Sequence, residues 1–288
     1  MLEEAVEVLN ARYAKDTPTQ DGVRRRKNAA ERSDGNTSGS AMTGWEILVV
    51  SDGSNDKTEA TALDFAKSHS GGSIRVVTLR RNRGKGGAVV HGMRHVRGQY
   101  VVFADADGAS KFADVTKLVE ACEKSQDSKG RAVAVGSRAH LVGSPAVVNR
   151  SAIRNFLMRG FHLLIWLFTP AATSTIKDTQ CGFKMFSRQS LPYIVPHMHS
   201  EGWIFDVEML MLAERADVPM IEVPVGWHEV KGSKLNVVWD SIGMAWSLAV
   251  LRAAWALGVY RTHASTYNEP LMPGHTTGIR YAGPPKMY

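Results

Sequence analysis

The sequence predicts an α/β fold with a mostly parallel sheet. Short apolar runs typical of buried strands alternate with longer helical patterns between residues 46 and 136, and polar, glycine-rich turns follow several of these runs. Hydrophobic residues make up 44% of the 288-residue chain, enough for one sizeable core. In such folds helices cover both faces of the sheet, and ligands bind at the carboxyl ends of the strands.

The elements follow in order along the chain. An amino-terminal helix at 1–15 precedes a polar insertion at 16–44, which we expect to be disordered. One catalytic domain is then expected at 46–235. Its strands are predicted at 46–50, 74–79, 99–104 and 132–136, and its helices at 56–69, 84–96 and 111–125.

The carboxyl-terminal part of the chain is more apolar. An amphipathic helix is predicted at 236–262, and an irregular tail at 263–288. The segments 153–169 and 242–260 mix Trp, Phe and Leu with Arg, which is typical either of core helices or of helices at a membrane interface. The uninterrupted apolar part of the first segment is too short to span a bilayer.

Charge and cysteine content exclude several classes of protein. The net charge of +7 favours an anionic partner, but the basic residues are scattered and no zinc-finger or RNA-binding motif occurs. We therefore expect phosphates and a membrane surface as partners, and no nucleic acid. The two cysteines imply no disulfide framework, and the first residues lack the basic start and apolar core of a secretory signal.

The segment Asp105-Ala106-Asp107 follows the strand predicted at 99–104. Two carboxylates one residue apart at the end of a strand are suited to hold Mg²⁺ or Mn²⁺ against a diphosphate. Because Asp-x-Asp is also common in solvated turns, the prediction depends on neighbouring motifs.

Two further turns follow neighbouring strands. Asp52 lies in Ser51-Asp52-Gly53-Ser54, where its side chain suits a nucleotide base or ribose, although a capped turn explains the segment equally well. Residues 81–88 form a basic, glycine-rich turn at a helix start, where free N–H groups near Lys85 and Gly86 suit a phosphate. Its spacing fits neither a dinucleotide-binding motif nor a P-loop, which disfavours dehydrogenases and ATPases.

Seven ordered motifs between residues 46 and 260 resemble those of family 2 glycosyltransferases with the GT-A fold, and in particular those of the dolichyl-phosphate β-glucosyltransferases. These motifs are Ser51-Asp-Gly-Ser54, Asn82-Arg-Gly-Lys-Gly-Gly-Ala88, Asp105-Ala-Asp-Gly-Ala109, Gly136-Ser-Arg-Ala-His140, Asp178-Thr-Gln-Cys-Gly-Phe-Lys184, Trp203-Ile-Phe-Asp-Val-Glu208 and Glu229-Val-Lys-Gly-Ser-Lys234. The resemblance implies a GT-A-type nucleotide-sugar-binding fold with carboxyl-terminal helices at a membrane interface.

The resemblance also implies an activity. UDP-glucose would donate glucose to dolichyl phosphate with inversion, giving dolichyl β-D-glucosyl phosphate for protein N-glycosylation. The implied location is the endoplasmic reticulum membrane, with the active site facing the cytosol, and the implied cofactor is Mg²⁺ or Mn²⁺. The implied catalytic residues are Asp107, Asp178 and Arg138, the metal ligands Asp105 and Asp107, and the nucleotide-sugar-binding residues Asp52, Lys85, Gly86, Asp105, Gln180, Trp203 and Asp206.

Several of these assignments have alternatives. Trp203 is expected either to stack on the sugar or to be an ordinary core tryptophan. Asp206 and Glu208 are spaced i and i+2 and cannot share a helix face, so we expect only one in the site and the other on the surface. For His228, a structural role is favoured over a contact with the metal.

An anionic acceptor needs cationic or N–H partners beside a second anion. By position, the candidates for its phosphate are Ser137, Arg138, Arg150 and Arg154. Contact with lipid headgroups is the alternative for Arg150 and Arg154. Because a phosphate monoester is already anionic near neutral pH, its oxygen can attack the sugar carbon without a strong general base.

The start of the sequence departs from the family. Relatives begin with a membrane anchor and a strand that ends in a Pro-x-Tyr-Asn-Glu-like turn, whereas this sequence starts inside the first helix. Loss of an internal strand exposes the edges of its neighbours, so we expect a truncated chain of impaired activity. Two alternatives stay open: a polyprenyl-phosphate mannosyltransferase that uses GDP-mannose, and an inactive nucleotide-sugar-binding protein.

Overall fold

The computed structural model describes residues 1–13, 44–69, 73–141, 160, 164–165, 167–228, 230 and 237–260. Its elements are, in chain order, α1 (Leu2–Tyr13), β1 (Ile47–Ser51), α2 (Thr58–Ser68), β2 (Ile74–Thr78), α3 (Gly84–Met93), β3 (Tyr100–Ala104), α4 (Val115–Lys124), β4 (Val133–Ser137), α5 (Ala171–Thr175), β5 (Phe183–Ser187), α6 (Leu191–Ile194), α7 (Phe205–Arg215), β6 (Met220–Pro224) and α8 (Val237–Ala256).

The strands and helices predicted between residues 46 and 136 are confirmed, with small differences at their ends. The Asp56 carboxylate accepts the N–H of Thr58, the first residue of α2, at 2.9 Å, while the N-cap residue itself, Lys57, makes no capping bond with its side chain. The helix predicted at 84–96 ends earlier, at Met93. The helix predicted at 111–125 begins with a 3₁₀ turn, Phe112–Asp114, before α4.

The described strands form two sheets. β1 pairs in parallel with β2, and a four-stranded sheet has the order β3-β5-β4-β6. β3, β4 and β6 run in one direction, while β5 lies between β3 and β4 and runs antiparallel to both. The α/β fold class is therefore confirmed, with β5 as the reversed strand of a mixed sheet. Among the described strands, none joins β1 to β3.

Each face of the four-stranded sheet supports a hydrophobic core. Val101 and Phe103 of β3 face one core, and Val102 and Ala104 pack against the other, as the period-two alternation of a strand requires. Helix α7 fills the first core and is buried from its first residue to Ala213. Helix α4 and the amino-terminal α1 cover the second core.

Helix α8 lies within the segment predicted at 236–262 and has two contrasting faces. Leu248 and Leu251 are buried in the core beside α7. Ile242, Trp246 and Val250, spaced four residues apart, are exposed on another face, and Trp246 is 71% exposed. No helix among the described residues is long and apolar enough to cross a membrane.

Some predictions fall on residues that the structure does not describe. Arg150 and Arg154 lie outside the described residues, as do nearly all of the predicted insertion at 16–44 and the whole of the tail at 263–288. Most of the first apolar segment, 153–169, also lies outside the described residues.

Candidate active site

The site is built where several strand ends meet. The carboxyl ends of the parallel strands β3, β4 and β6 lie at one edge of the four-stranded sheet, together with the start of β5. Asp105 follows β3 and Arg138 follows β4, so the predicted motifs converge at this edge. This agrees with the rule that ligands bind beyond the carboxyl ends of such strands.

Asp105 is fixed by its backbone and its carboxylate. Its N–H donates to the carbonyl of Gly182 at 2.9 Å, and its carboxylate lies directly against the Gly182 backbone. A Cβ atom at position 182 would lie only 2.0 Å from the Asp105 Oδ2 atom, so glycine is required for this arrangement. Lys85, from the first turn of α3, donates to the carboxylate at 2.8 Å.

Asp107 is exposed next to this pair. One of its oxygens accepts the N–H of Ala109 at 2.9 Å, which closes a tight turn. The segment after this turn pairs with the chain that follows β6: the Ala109 carbonyl accepts the N–H of His228 at 2.9 Å. His228 is exposed and lies beside the turn that carries Asp107.

Arg138 and Asp178 form a bidentate ion pair. The guanidinium donates to the two carboxylate oxygens at 2.7 and 2.8 Å, and the Arg138 backbone N–H adds a third bond at 2.9 Å. Burial disfavours both charges, but these bonds outweigh it: the pKa of Asp178 is lowered and that of Arg138 is raised. Both groups therefore stay ionised. The guanidinium also lies 5.6 Å from the ring centroid of Trp227.

Ser137, the last residue of β4, is buried. Its Oγ atom accepts the N–H of Ala139 at 3.3 Å, within the turn that presents Arg138. The structure therefore places the Ser137 hydroxyl in a local turn contact, and its predicted contact with a phosphate stays a prediction.

The glycine-rich turn at the start of α3 packs against the loop at 200–202. A Cβ atom at Gly86 would lie 2.6 Å from the Ser200 carbonyl oxygen, and the N–H of Gly87 donates to the Glu201 carbonyl at 3.2 Å. The N–H of Gly87 is therefore engaged within the protein. The glycines allow close packing of α3 on the loop, and contact of Gly86 with a ligand stays a prediction.

Asp52 connects the first strand to the same turn. Its carboxylate accepts the N–H of Arg83 at 2.7 Å, and its carbonyl accepts a bond from the Asn82 side chain at 3.1 Å. Gly53 has φ of +65°, and a Cβ atom there would lie 2.7 Å from the Asn82 nitrogen. Asp52 thus holds two turns together beside the site.

Trp203 and Gln180 lie at the borders of the site. Trp203 is 45% exposed, and its ring centroid lies 5.7 Å from the Lys85 ammonium, so it is not a core tryptophan. The amide of Gln180 is 3.8 Å from the sulfur of Met244 on α8, which places that helix against the turn before β5.

Asp206 and Glu208 are both buried, so the prediction of a surface carboxylate at one of them is wrong. The Asp206 carboxylate accepts a bond from Lys184, and burial raises the pKa of Asp206 against the opposing charge of Lys184. Glu208 accepts the N–H groups of His199 and Ser200, each at 2.8 Å. Glu208 therefore holds the loop that leads to Trp203, and such a role satisfies a buried carboxylate without solvent.

Sequence reasoning missed three of the groups that support the site. Lys184 bonds to Asp206, Glu201 pairs with Arg83, and Glu222 accepts the N–H of Asp178 at 3.0 Å. Only Lys184 carried a signal, because a lysine within the apolar run of β5 indicates a buried cation that needs a partner. The other pairings join segments that are distant in sequence.

Comparison with known proteins defines the class. Residues 39–192 match the model of glycosyl transferase family 2. The fold resembles solved structures of glucosyl-3-phosphoglycerate synthase from Mycobacterium tuberculosis. The complex with phosphoglyceric acid has a TM-score of 0.52 and 18% identity, and the match covers 72% of this chain and 68% of that one. A complex with Mn²⁺, uridine diphosphate and glucosyl-3-phosphoglycerate has a TM-score of 0.51, with the same identity and coverage. The chain is a glycosyltransferase and belongs to glycosyl transferase family 2.

Relatives of higher sequence identity show to which group within family 2 the chain belongs. The dolichyl-phosphate β-glucosyltransferase of Saccharomyces cerevisiae is 50% identical over 226 residues, which are 75% of this chain and 67% of the relative. Those of Drosophila melanogaster and Homo sapiens are 45% and 40% identical over 218 residues, 75% of this chain and 66% of each relative. The chain spans about two thirds of the length of these relatives. Within family 2 it belongs to the dolichyl-phosphate β-glucosyltransferases, as its motifs predict.

Proposed function

We propose that the chain transfers glucose from UDP-glucose to dolichyl phosphate with inversion, giving dolichyl β-D-glucosyl phosphate for protein N-glycosylation. The observation that carries this proposal is the meeting of Lys85, Asp105 and the exposed Asp107 at one sheet edge, with Arg138 close enough to Asp105 to feel its charge. Two carboxylates and two cations at one place suit a reaction between two phosphate-bearing substrates. One relative of this activity, from Saccharomyces cerevisiae, is 50% identical to the chain.

The donor would bind along the turns at the ends of β1 and β3. We assign Asp52 to the uridine, Lys85 to the diphosphate and Trp203 to stacking on the sugar. Gly86 and Gln180 complete the proposed nucleotide-sugar site, and Asp206, which is 2% exposed and bonded to Lys184, would support that site without touching the donor. The side chains of Lys85 and Asp105 are only partly exposed. A ligand that binds here therefore leaves water and contacts the fixed charges of these two residues.

The residues at this edge fit Mg²⁺ or Mn²⁺. Asp105 and Asp107 offer hard oxygen ligands, and Asp107 has an oxygen not engaged by Ala109. The described residues contain no cluster of three or more His, Cys, Asp or Glu that could hold a metal by itself. This fits a cation held by one or two carboxylates together with substrate phosphates. Such a cation neutralises charge on the departing diphosphate.

The acceptor phosphate would approach from the side of Arg138. A guanidinium fork suits two phosphate oxygens, and Asp178 holds that fork in one orientation through three hydrogen bonds. A phosphate oxygen of the acceptor attacks the anomeric carbon, the bond from that carbon to the UDP oxygen breaks, and UDP leaves. Asp178 is ionised but fully engaged by Arg138, so we assign it to positioning rather than to proton transfer. Ser137, Arg150 and Arg154 remain proposed partners of this phosphate.

We place the enzyme on the cytosolic side of the endoplasmic reticulum membrane. The exposed apolar face of α8, formed by Ile242, Trp246 and Val250, would lie in the membrane interface, with Arg252 near the headgroups. In flotation with vesicles of phosphatidylcholine and phosphatidylinositol, we expect Trp246→Glu to reduce vesicle binding and a change at the exposed Lys67 of α2 to leave it unaltered. Equal flotation of the Trp246 variant and the unchanged chain contradicts this placement.

Donor binding tests the proposed function. We expect UDP-glucose to bind in the presence of Mn²⁺, as measured by calorimetry, and GDP-mannose to bind more weakly. Lys85→Met should weaken binding, while Lys67→Met, an exposed lysine on α2, should not. Preference for GDP-mannose would favour the mannosyltransferase alternative, and binding of UDP-glucose without turnover would favour an inactive nucleotide-sugar-binding protein.

A further inference from the structure

The ion pair between Lys184 and Asp206 is completely buried. The ammonium of Lys184 donates to the Asp206 carboxylate at 2.5 Å and to the Cys181 carbonyl at 2.6 Å. The Lys184 side chain is 0% exposed and that of Asp206 is 3% exposed. The Phe103 ring centroid lies 5.2 Å from the ammonium. The cation is thus held by two oxygens and an aromatic ring.

The bond to Cys181 connects this pair to Asp105. The Cys181 carbonyl belongs to the turn that continues into Gly182, whose own carbonyl accepts the Asp105 N–H. The Asp105 carboxylate lies against the Gly182 backbone. Lys184 therefore fixes the turn on which the proposed metal ligand rests.

The bond to Asp206 connects the pair to Lys85. Asp206 lies in the first turn of α7, next to Phe205. A Cβ atom at Gly86 would lie 2.7 Å from the Phe205 Cβ atom, and the Phe205 ring centroid is 5.8 Å from the Lys85 ammonium. The pair therefore ties the start of α7, which borders Lys85, to the strand that supports Asp105.

Stability alone does not account for a pair of this kind. Desolvation of two charges costs about as much as their attraction returns, and apolar residues of similar volume often replace a buried pair with no loss of stability. Such a pair can instead fix the position of its neighbours, because residues that contact metal ligands set the orientation of those ligands. We propose that Lys184 and Asp206 form a positioning pair that orients Asp105 and Lys85 toward the metal and the donor diphosphate. This inference rests on the proposed function of those two residues.

The test compares metal-dependent UDP binding with stability. In the double variant Lys184→Met/Asp206→Leu both charges are replaced together, so no charge is left buried and unpaired. We expect its Kd for UDP in the presence of Mn²⁺, measured by calorimetry, to rise about 10- to 100-fold, while its melting temperature stays close to that of the unchanged chain. The single variant Lys184→Met provides a second test: it removes the bond to the Cys181 carbonyl, and its Kd for UDP should rise as well.

A matched control lies at the opposite end of β4. Arg131 is buried, pairs with Asp127 at 2.7 Å and donates to the Ala216 carbonyl at 2.9 Å. Arg131→Met should lower the melting temperature without changing the Kd for UDP. Unchanged binding in the folded Lys184 variants overturns the positioning role and leaves the proposed function standing. Failure of the unchanged chain to bind UDP with Mn²⁺ overturns both.

Discussion

The substitution Gly182→Ala tests the placement of Asp105 directly. The added methyl group would lie 2.0 Å from Oδ2, 2.2 Å from Cγ and 2.5 Å from Oδ1 of Asp105, all far inside contact distance. The backbone of Gly182 does not have the positive φ that excludes other residues, and the three nearest atoms to the added methyl group all belong to the Asp105 carboxylate. Asp105 must therefore rotate away and release Lys85.

The expected loss of stability is small. A side chain forced from its preferred rotamer costs about 0.5–1.5 kcal/mol. The Lys85–Asp105 pair is between a fifth and a third exposed, and a pair screened in this way contributes about 0.2–1 kcal/mol. Replacing glycine also stabilises the fold by about 0.4–1 kcal/mol, through the unfolded chain. We expect a decrease of about 1 kcal/mol in the free energy of unfolding, or about 2–4 °C in melting temperature.

The expected loss of function is much larger. If Asp105 contacts the metal and the donor, its displacement should raise the Kd for UDP with Mn²⁺ about 10- to 100-fold. Calorimetry on the variant and the unchanged chain measures this, with Gly243→Ala as control because, among the described residues, no atom beyond its own helix lies within 4 Å of a Cβ at that position. Equal Kd values for Gly182→Ala and the unchanged chain would refute the assigned position of Asp105.

Three further predictions follow from the site and the core. Asp107→Ala should abolish glucose transfer while the fold stays intact, because Asp107 is exposed and would hold the metal, and only its turn bond to Ala109 is lost from the fold; activity of this variant in the presence of a chelator contradicts the metal assignment. Asp178→Asn should lower the melting temperature at neutral pH. The pKa of Asp178 is lowered in the fold, so its contribution to stability exists above about pH 4 and is lost as the pH falls through the folded-state pKa. The melting temperatures of the unchanged chain and of Asp178→Asn should therefore converge in acid. A difference between them that grows in acid contradicts this. Burial raises the pKa of Cys122 to about 12 and that of Cys181 to about 11, so neither thiol should react with a maleimide at pH 7 until urea unfolds the chain; rapid labelling of the native protein would show that the core is wrong.

The sequence predicted the parts of the site that depend on the order of strands and turns along the chain. Strand-end motifs of one sheet meet at one edge, and this rule places Asp105 and Arg138 at the same edge, where Lys85 also pairs with Asp105. The bidentate contact of Arg138 with Asp178 joins residues 40 positions apart. Their motifs were recognised, but the motifs alone did not show that the two side chains bind each other.

The remaining features depend on long-range packing. β5 was not predicted as a strand, and its reversed direction is decided by pairing with both β3 and β4. Helix α7 was expected to have a surface carboxylate, yet its start is enclosed and both Asp206 and Glu208 find buried partners. Local periodicity cannot show this, because the partners come from other elements.

Transfer of labelled glucose to dolichyl phosphate measures the proposed reaction itself. The purified chain is incubated with UDP-glucose labelled in the sugar, dolichyl phosphate and Mg²⁺ or Mn²⁺, and the lipid extract is analysed for sugar and anomeric configuration. We expect dolichyl β-glucosyl phosphate that forms only with the divalent cation and is not formed by Asp107→Ala. Absence of lipid-linked glucose when UDP-glucose binds, an α-linked product, or faster transfer of mannose from GDP-mannose would contradict this expectation.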